Sequence, residues 1–122
     1  MPGRVLIADD ALFMRNMLAD IFSRAGWEVV AEAENGEQAV AMYRQHRPQL
    51  VTMDIVMPVM GGIEALKKIL KMEPEARVVV CSALGQKHLI LDAITSGARD
   101  FIVKPFQGEQ VLEVAERVIN TG

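Results

Sequence analysis

Short apolar runs alternate with longer segments of helical periodicity along this chain, and this alternation limits the possible folds more than any other feature. The runs occupy residues 5–8, 27–33, 50–53, 78–81 and 101–103 and are mainly apolar, although the second includes Glu28 and Glu32. Each run is followed by apolar residues at intervals of three and four, as in an amphipathic helix. Because crossovers between parallel strands are right-handed, the pattern predicts an α/β fold with a doubly wound, five-stranded parallel sheet. We expect the flavodoxin-like (βα)5 strand order 2-1-3-4-5, one of two common solutions.

Glycines set the predicted limits of several helices. Gly26 can end the first helix, and Gly97 can end the fourth, which spans about residues 86–96, because glycine readily adopts the left-handed cap conformation. Asn35 and Gly36 form the turn before the second helix.

The length and composition predict a single domain, residues 1–122, with no output domain. A chain of 122 residues with 51% apolar and 24% charged residues can bury a genuine core, but it leaves no room for a second folded unit. The net charge is −3, and the Lys and Arg residues are scattered, which argues against a nucleic-acid or anionic-membrane surface. We therefore expect a protein or small-molecule partner.

The cysteine content and the apolar runs predict a cytoplasmic protein. Cys81 is the only cysteine, so it cannot form an internal disulfide, and it should be buried as a small apolar residue. The first apolar run is too short for the core of a signal peptide, and no run reaches bilayer length. We therefore expect a soluble chain without membrane insertion.

Asp9 and Asp10 follow the first run, Asp54 follows the third, and Lys104 follows the fifth. The carboxyl ends of parallel strands meet at one edge of a sheet. Two carboxylates about 4 Å apart repel by roughly 4 kcal/mol at an effective dielectric of about 20, so folding alone would not favour this group. An all-oxygen site suits Mg²⁺ better than Zn²⁺. The sequence therefore predicts a magnesium site held by Asp9 and Asp10. His46 and His88 lie outside these strand ends and are expected at the surface.

A magnesium ion at this edge can also bind a phosphoryl oxygen, with Lys104 neutralising another. Asp54 is the best nucleophile, because it alone ends a central strand and precedes a flexible loop, so an in-line donor could reach it. Ser82, one residue beyond the fourth run, offers a hydroxyl group to the third phosphoryl oxygen. The alternative is structural: Asp10 could simply cap the first helix by accepting its free amides.

The residues at the strand ends and in the loops after them match a known sequence pattern. Asp9-Asp10, Asp54 with Met57-Pro58 and Gly62 after it, Ser82-Ala83 and Lys104-Pro105 resemble the receiver domain of two-component response regulators, over residues 5 to about 120. Within that family the sequence is most similar to stand-alone chemotaxis regulators. The resemblance implies that a histidine kinase donates a phosphoryl group to Asp54. It also implies that Mg²⁺ is bound by Asp10, Asp54 and the backbone carbonyl of Val56, with Asp9 assisting through water.

The resemblance further implies a conformational switch. Ser82 would move towards the phosphoryl group, and Phe101 would turn inward to fill the vacated space. Phe101 lacks the hydroxyl group of the tyrosine that many family members carry, so packing must transmit the signal. The bond between Lys104 and Pro105 is expected to be cis.

Two apolar residues predict slow self-hydrolysis of the aspartyl phosphate. Val56 and Leu84 each stand two residues after a site residue, where polar side chains would help to orient an attacking water. We expect a long-lived phosphorylated state.

The function that the resemblance implies is a phosphorylation switch read by a separate protein, such as a flagellar motor switch protein in chemotaxis. The reading surface would comprise the fourth helix, the fifth strand and the fifth helix. On the fourth helix, one face is shared by Ile90, Ala93, Ile94 and Gly97. Leu89 and Leu91 lie to either side of it, so some apolar surface should remain uncovered. We expect a monomer that catalyses only its own phosphorylation and dephosphorylation and is not otherwise an enzyme.

Three alternatives compete with this interpretation. The first is a phosphorelay intermediate, which passes its phosphoryl group to a histidine phosphotransfer protein. Sequence alone distinguishes it poorly from a chemotaxis regulator. An aspartate-nucleophile phosphatase is disfavoured, because Val56 stands where its second aspartate is commonly found. A flavodoxin is disfavoured, because two acids follow the first strand instead of a hydroxyl-rich phosphate loop.

Overall fold

The computed structural model describes residues 3–121, which form five strands and five helices in strict alternation. The strands are β1 (Arg4–Ala8), β2 (Glu28–Ala33), β3 (Leu50–Asp54), β4 (Val78–Ala83) and β5 (Asp100–Lys104). The helices are α1 (Leu12–Arg24), α2 (Gly36–His46), α3 (Gly62–Met72), α4 (Lys87–Thr95) and α5 (Gly108–Asn120). The five predicted βα units are confirmed.

All pairs of neighbouring strands are parallel, and the strand order β2-β1-β3-β4-β5 confirms the flavodoxin-like arrangement. Ala8 pairs with Met53, and Asp54 pairs with Cys81. At the far side of β4, Ala83 pairs with Lys104. The carboxyl ends of β1, β3, β4 and β5 therefore lie side by side, and the residues that follow them share one edge of the sheet.

Each face of the sheet is covered by its own apolar core. Leu6, Val51 and Val80 belong to the core that includes residues of α2, α3 and α4. Ile7 and Val79 belong to the core that includes residues of α1 and α5. Because successive side chains of a strand point to opposite faces, neighbours such as Leu6 and Ile7 enter different cores. Every residue of β3 is buried, as expected of a central strand covered on both sides.

The ends of several elements differ from the prediction. β2 begins at Glu28 and not at Trp27, whose backbone amide instead donates a hydrogen bond to the carbonyl of Phe22. The Trp27 and Phe22 rings pack edge to face with 5.2 Å between their centroids. β4 continues two residues beyond Cys81, because its pairing with β5 extends to Ala83. Gly26 and Gly97 have φ angles of 89° and 114°, so both adopt the predicted left-handed conformation beyond a helix.

The apolar face predicted for α4 is only partly buried. Ala93 is buried, and Leu89 and Ile90 pack against the same core, but Ile94 is 41% exposed. Ile94 lies about 100° around the helix from Ala93, which places it towards the outer side with the 60% exposed Leu91. The expected uncovered apolar surface on this helix is therefore present, with Ile94 as part of it. Within residues 3–121, no helix combines the length and the apolar character needed to cross a membrane.

Candidate metal centre

Three carboxylates meet where β1 and β3 end. One carboxylate oxygen from each of Asp9, Asp10 and Asp54 can be chosen so that all three atoms lie within 4.8 Å of one another. The parallel register explains the meeting, because Asp9 and Asp10 follow β1 beside the end of β3. Asp9 is 1% exposed and Asp54 is 8% exposed, whereas Asp10 lies at the surface. The predicted acidic cluster is therefore brought together by the fold.

Lys104 completes this group from the end of β5. Its Nζ atom donates a hydrogen bond of 2.9 Å to Asp9 Oδ2 and lies 3.4 Å from Asp54 Oδ2. Burial disfavours the charged ammonium group, but the hydrogen bond to Asp9 and the charge of Asp54 outweigh this effect and raise the pKa of Lys104. The peptide bond between Lys104 and Pro105 is cis, as expected.

Asp54 is the most strongly perturbed carboxyl group of the site. Burial, followed by the nearby charge of Asp9, raises the pKa of Asp54 to about 6, although Lys104 acts in the opposite direction. A carboxylate in this position is partly desolvated and lies next to like charge, so it gains from any cation that enters the site.

The donor set fits Mg²⁺. The cluster offers carboxylate oxygens from three side chains and no sulfur or imidazole ligand, which is the chemistry that magnesium prefers. The exposed position of Asp10 leaves one side open to water, and Mg²⁺ usually keeps several waters. Val56 lies two residues after Asp54 in the β3–α3 loop, with its side chain 55% exposed, and its role as a carbonyl ligand stays a prediction.

Ser82 lies on β4 next to Cys81, the strand partner of Asp54. Its side chain is completely buried, and its hydroxyl oxygen has no hydrogen-bond partner among residues 3–121. A buried hydroxyl without a partner carries a desolvation cost of about 1–3 kcal/mol, so it would gain from an acceptor arriving nearby. Cys81 itself is buried, as predicted, and its burial raises the pKa of the thiol to about 12.

Phe101 lies on β5, three residues before Lys104. Its side chain is 41% exposed and lines an apolar groove of about 410 Å³ together with Leu91 and Ile94 of α4. In this conformation the ring has not turned inward.

The capping alternative for Asp10 is wrong. Ala11 is the N-cap residue of α1, and no side chain caps the helix there. It is the Asp9 carboxylate that accepts a hydrogen bond of 2.9 Å, from the backbone amide of Ala11. Asp9 thereby combines a local structural contact with its place in the acidic cluster.

Two glycines hold the loop between β3 and α3 close to the rest of the site. A Cβ atom on Gly62 would collide with the backbone carbonyl oxygen of Asp54, and one on Gly36 would lie 2.5 Å from the carbonyl oxygen of Met60. The amide of Gly36 also donates a hydrogen bond of 2.8 Å to that Met60 oxygen. Val59 in the same loop has a φ angle of 68°, which is rare for a β-branched residue.

Sequence reasoning missed Arg15. Its side chain is buried within α1 and its Nη1 atom donates a hydrogen bond of 2.7 Å to the backbone carbonyl of Asp9. Its Nε atom lies 3.3 Å from a carboxylate oxygen of Glu32 on β2. The spacing could have revealed it, because Arg15, Leu18 and Phe22 follow one another at intervals of three and four and all three are buried.

Comparisons with known proteins agree with this geometry. Residues 5–116 match the family described as the response regulator receiver domain. The chain is 57% identical over 120 residues to the chemotaxis protein CheY of Bacillus subtilis, covering 98% of this chain and 100% of that protein. It aligns with a chain of the crystal structure of the CheX-CheY-BeF3-Mg+2 complex from Borrelia burgdorferi, with a TM-score of 0.92, 40% identity, and coverage of 97% of this chain and 90% of that chain.

A longer protein contains the same fold. NtrX from Brucella abortus aligns with a TM-score of 0.93 and 35% identity, over 99% of this chain but only 27% of the NtrX chain. The family match covers most of the present sequence, and the fold and the acidic cluster agree with it. This chain therefore belongs to the response regulator receiver domain family.

Proposed function

We propose that this chain is a phosphorylation-switched signalling protein of a two-component system, with Asp54 as the phosphorylated residue. The observation that carries the proposal is the position of Asp54: its buried carboxylate lies within reach of Asp9, Asp10 and Lys104 at the end of a central strand. An oxygen of Asp54 attacks the phosphorus of a phosphohistidine, a P–O bond forms, and the P–N bond breaks. The electron pair of that bond stays on the departing imidazole of the histidine kinase.

The acidic cluster would hold Mg²⁺ for this transfer. Asp10, Asp54 and the carbonyl of Val56 are the proposed ligands, and Asp9 would act through a water molecule. When bound, the ion offsets the negative charge of the phosphoryl oxygens. Asp9 also holds Lys104 in place through the hydrogen bond of 2.9 Å.

Lys104 and Ser82 would bind the remaining phosphoryl oxygens. The ammonium group of Lys104 already lies 3.4 Å from Asp54, and its raised pKa keeps it charged near neutral pH. The unpartnered hydroxyl of Ser82 can donate a hydrogen bond to a phosphoryl oxygen, which removes the cost of leaving it buried without a partner.

The proposed hydrogen bond from Ser82 to the phosphoryl group would also drive the proposed switch. Movement of Ser82 towards the phosphoryl group would vacate space behind it, and Phe101 would leave its half-exposed position to fill that space. The groove that Phe101 shares with Leu91 and Ile94 would then change shape. A partner that reads α4, β5 and α5 would therefore distinguish the two states.

The chemotaxis role is supported by similarity to proteins named CheY at 57% and 54% identity over nearly the whole chain. We propose a flagellar switch protein as the partner that reads the phosphorylated state. We also expect a monomeric, single receiver unit, residues 1–122, that acts in the cytoplasm and has a separate protein as its output. This expectation stays a prediction.

A phosphorelay intermediate is the second candidate, because the same chemistry at Asp54 would serve both roles. Phosphoryl transfer from the labelled protein to a histidine phosphotransfer domain would favour the relay. Phosphorylation-dependent binding to a flagellar switch protein would favour chemotaxis.

Intact mass after incubation with acetyl phosphate and Mg²⁺ tests the central proposal. The parent should gain one phosphoryl group and Asp54→Asn should gain none. The matched control is Asp20→Asn, which changes an exposed aspartate of α1; it should be labelled like the parent. Equal labelling of parent and Asp54→Asn would contradict the proposal, and steady turnover of a small phosphate ester would indicate a phosphatase.

A further inference from the structure

Arg15 is the one basic residue that is buried among residues 3–121. It lies in the first turn of α1, and its guanidinium group connects the backbone of Asp9 to the side chain of Glu32. Nη1 donates a hydrogen bond of 2.7 Å to the carbonyl oxygen of Asp9, and Nε lies 3.3 Å from Oε1 of Glu32 on β2. A buried guanidinium with two such partners has little freedom to move, because leaving either partner exposes an unpaired charge or carbonyl group.

The Asp9 carbonyl oxygen belongs to the peptide group that joins Asp9 to Asp10. Because a peptide group is planar, holding this oxygen fixes the orientation of the whole unit. The amide of Asp9 is held as well, by a hydrogen bond of 3.0 Å to the carbonyl of Ala33. Arg15 therefore controls the direction in which the chain leaves Asp9 and enters Asp10.

Asp9 and Asp10 depend on Arg15 to different degrees. The Asp9 carboxylate is bound directly, by the amide of Ala11 and by Lys104. The Asp10 side chain is exposed and makes no hydrogen bond or ion pair with residues 3–121. The direction of the Asp10 carboxylate therefore depends mainly on its backbone.

We propose that Arg15 is a positioning residue for the magnesium site: it fixes the Asp9–Asp10 peptide group so that the Asp10 carboxylate already faces Asp9 and Asp54. Glu32 supports it by orienting the guanidinium group from β2. The inference rests on the proposed function, because it requires that the acidic cluster binds Mg²⁺.

Charge and position predict opposite effects of removing Arg15. A positive side chain beside a cation site repels the ion, so charge alone would make the site bind Mg²⁺ more tightly after Arg15 is lost. Loss of a positioning contact behind a metal ligand weakens the site, typically by 10- to 100-fold. The direction of the change therefore identifies the role of Arg15.

Arg15→Met tests the proposal, because methionine fills much of the same space without a donor or a charge. Calorimetric titration of the parent and the variant with Mg²⁺ should show binding weakened about tenfold. Labelling by acetyl phosphate should need about tenfold more Mg²⁺ for half-saturation, with a maximal rate close to that of the parent. The matched control is Arg24→Met in the same helix, whose arginine pairs with Asp20 at the surface; it should bind Mg²⁺ like the parent.

Equal or tighter Mg²⁺ binding by folded Arg15→Met would overturn the inference. If that variant does not fold, Arg15→Lys decides, because lysine keeps the charge but cannot reach Asp9 and Glu32 together. Weaker Mg²⁺ binding by Arg15→Lys supports the positioning role, and unchanged binding overturns it. If the parent itself takes up no Mg²⁺, the proposed metal site fails; if the parent binds Mg²⁺ and the variants bind it equally well, only the role of Arg15 fails.

Discussion

The ammonium group of Lys104 donates a hydrogen bond of 2.9 Å to the carboxylate of Asp9, although the two residues are 95 positions apart in the chain. The pair joins the end of β5 to the end of β1 across the carboxyl edge of the sheet, with β3 and β4 between them. Asp9 is 1% exposed, so Lys104 takes the place of water as a partner of its carboxylate. A change to either residue of this contact should therefore affect both the stability of the fold and the charge of the site.

Lys104→Met should destabilise the protein by about 1–3 kcal/mol when Mg²⁺ is absent, because it leaves the buried Asp9 carboxylate without its charged partner. Added Mg²⁺ should recover part of the loss, since a cation can replace the missing positive charge. Urea unfolding with Mg²⁺ and with EDTA measures both effects. Lys87→Met, an exposed lysine of α4, is the control. A Lys104→Met variant as stable as the parent in EDTA would contradict the expected dependence of Asp9 on Lys104.

Asp54→Asn should stabilise the metal-free protein near neutral pH. The folded state raises the pKa of Asp54 from 3.8 to about 6, so it favours the protonated form, and the contribution of Asp54 to stability is complete below about 3.8 and is lost as the pH rises through about 6. Asparagine keeps a neutral group at every pH. The gain at about pH 7.5 should be about 1–2 kcal/mol, after allowance for water at the mouth of the site.

The pH dependence of unfolding checks this explanation. The advantage of Asp54→Asn in EDTA should shrink steadily as the pH falls from about 7 to about 4, where both side chains are neutral. Asp92→Asn, an exposed aspartate of α4, should show no such trend. A gain that is independent of pH would assign the stabilisation to something other than the charge of Asp54.

Gly62→Ala should destabilise the protein by about 3 kcal/mol or more. The new Cβ atom would collide with the backbone carbonyl oxygen of Asp54, and neither backbone can move without shifting the proposed site. Gly61→Ala is the matched control, because its Cβ atom would lie 3.3 Å from the nearest atom, the carbonyl oxygen of Ile55. It should cost about 1 kcal/mol or less. Thermal or urea unfolding compares the stability of the two variants. Similar losses of stability in both would refute the steric explanation.

Val56→Asn should shorten the lifetime of the phosphorylated protein. Val56 lies two residues after Asp54, and its side chain is 55% exposed, so the change leaves the core intact. The new amide should be able to orient an attacking water. Val59→Asn is the control in the same loop: Val59 is 78% exposed and has a φ angle of 68°, which asparagine tolerates better than valine. Loss of phosphoryl label after removal of donor measures the lifetime. An unchanged decay in Val56→Asn would remove this account of slow hydrolysis.

The local pattern of the sequence determined the five βα units and the positions of the acids. Asp9, Asp10, Asp54 and Lys104 each follow an apolar run, and parallel strands bring their carboxyl ends to one edge whatever the details of packing. Gly26 and Gly97 marked helix ends correctly, because the left-handed conformation is a local requirement. The same reasoning predicted that Cys81 is buried, which the structure confirms; the role of Ser82 at the site stays a prediction.

Tertiary structure alone decided the contacts between residues that are distant in the chain. α4 packs on the side that leaves Ile94 exposed. The hydrogen bond that the Ala11 amide donates to Asp9 leaves Asp10 without a capping role, and the ion pair with Glu32 makes the burial of Arg15 tolerable. The raised pKa of Asp54 likewise arises from burial and from Asp9, 45 positions earlier in the sequence. Periodicity reports which residues share a face, but burial, pairing and electrostatic energy depend on what lies opposite, and only the assembled sheet and helices bring those partners into contact.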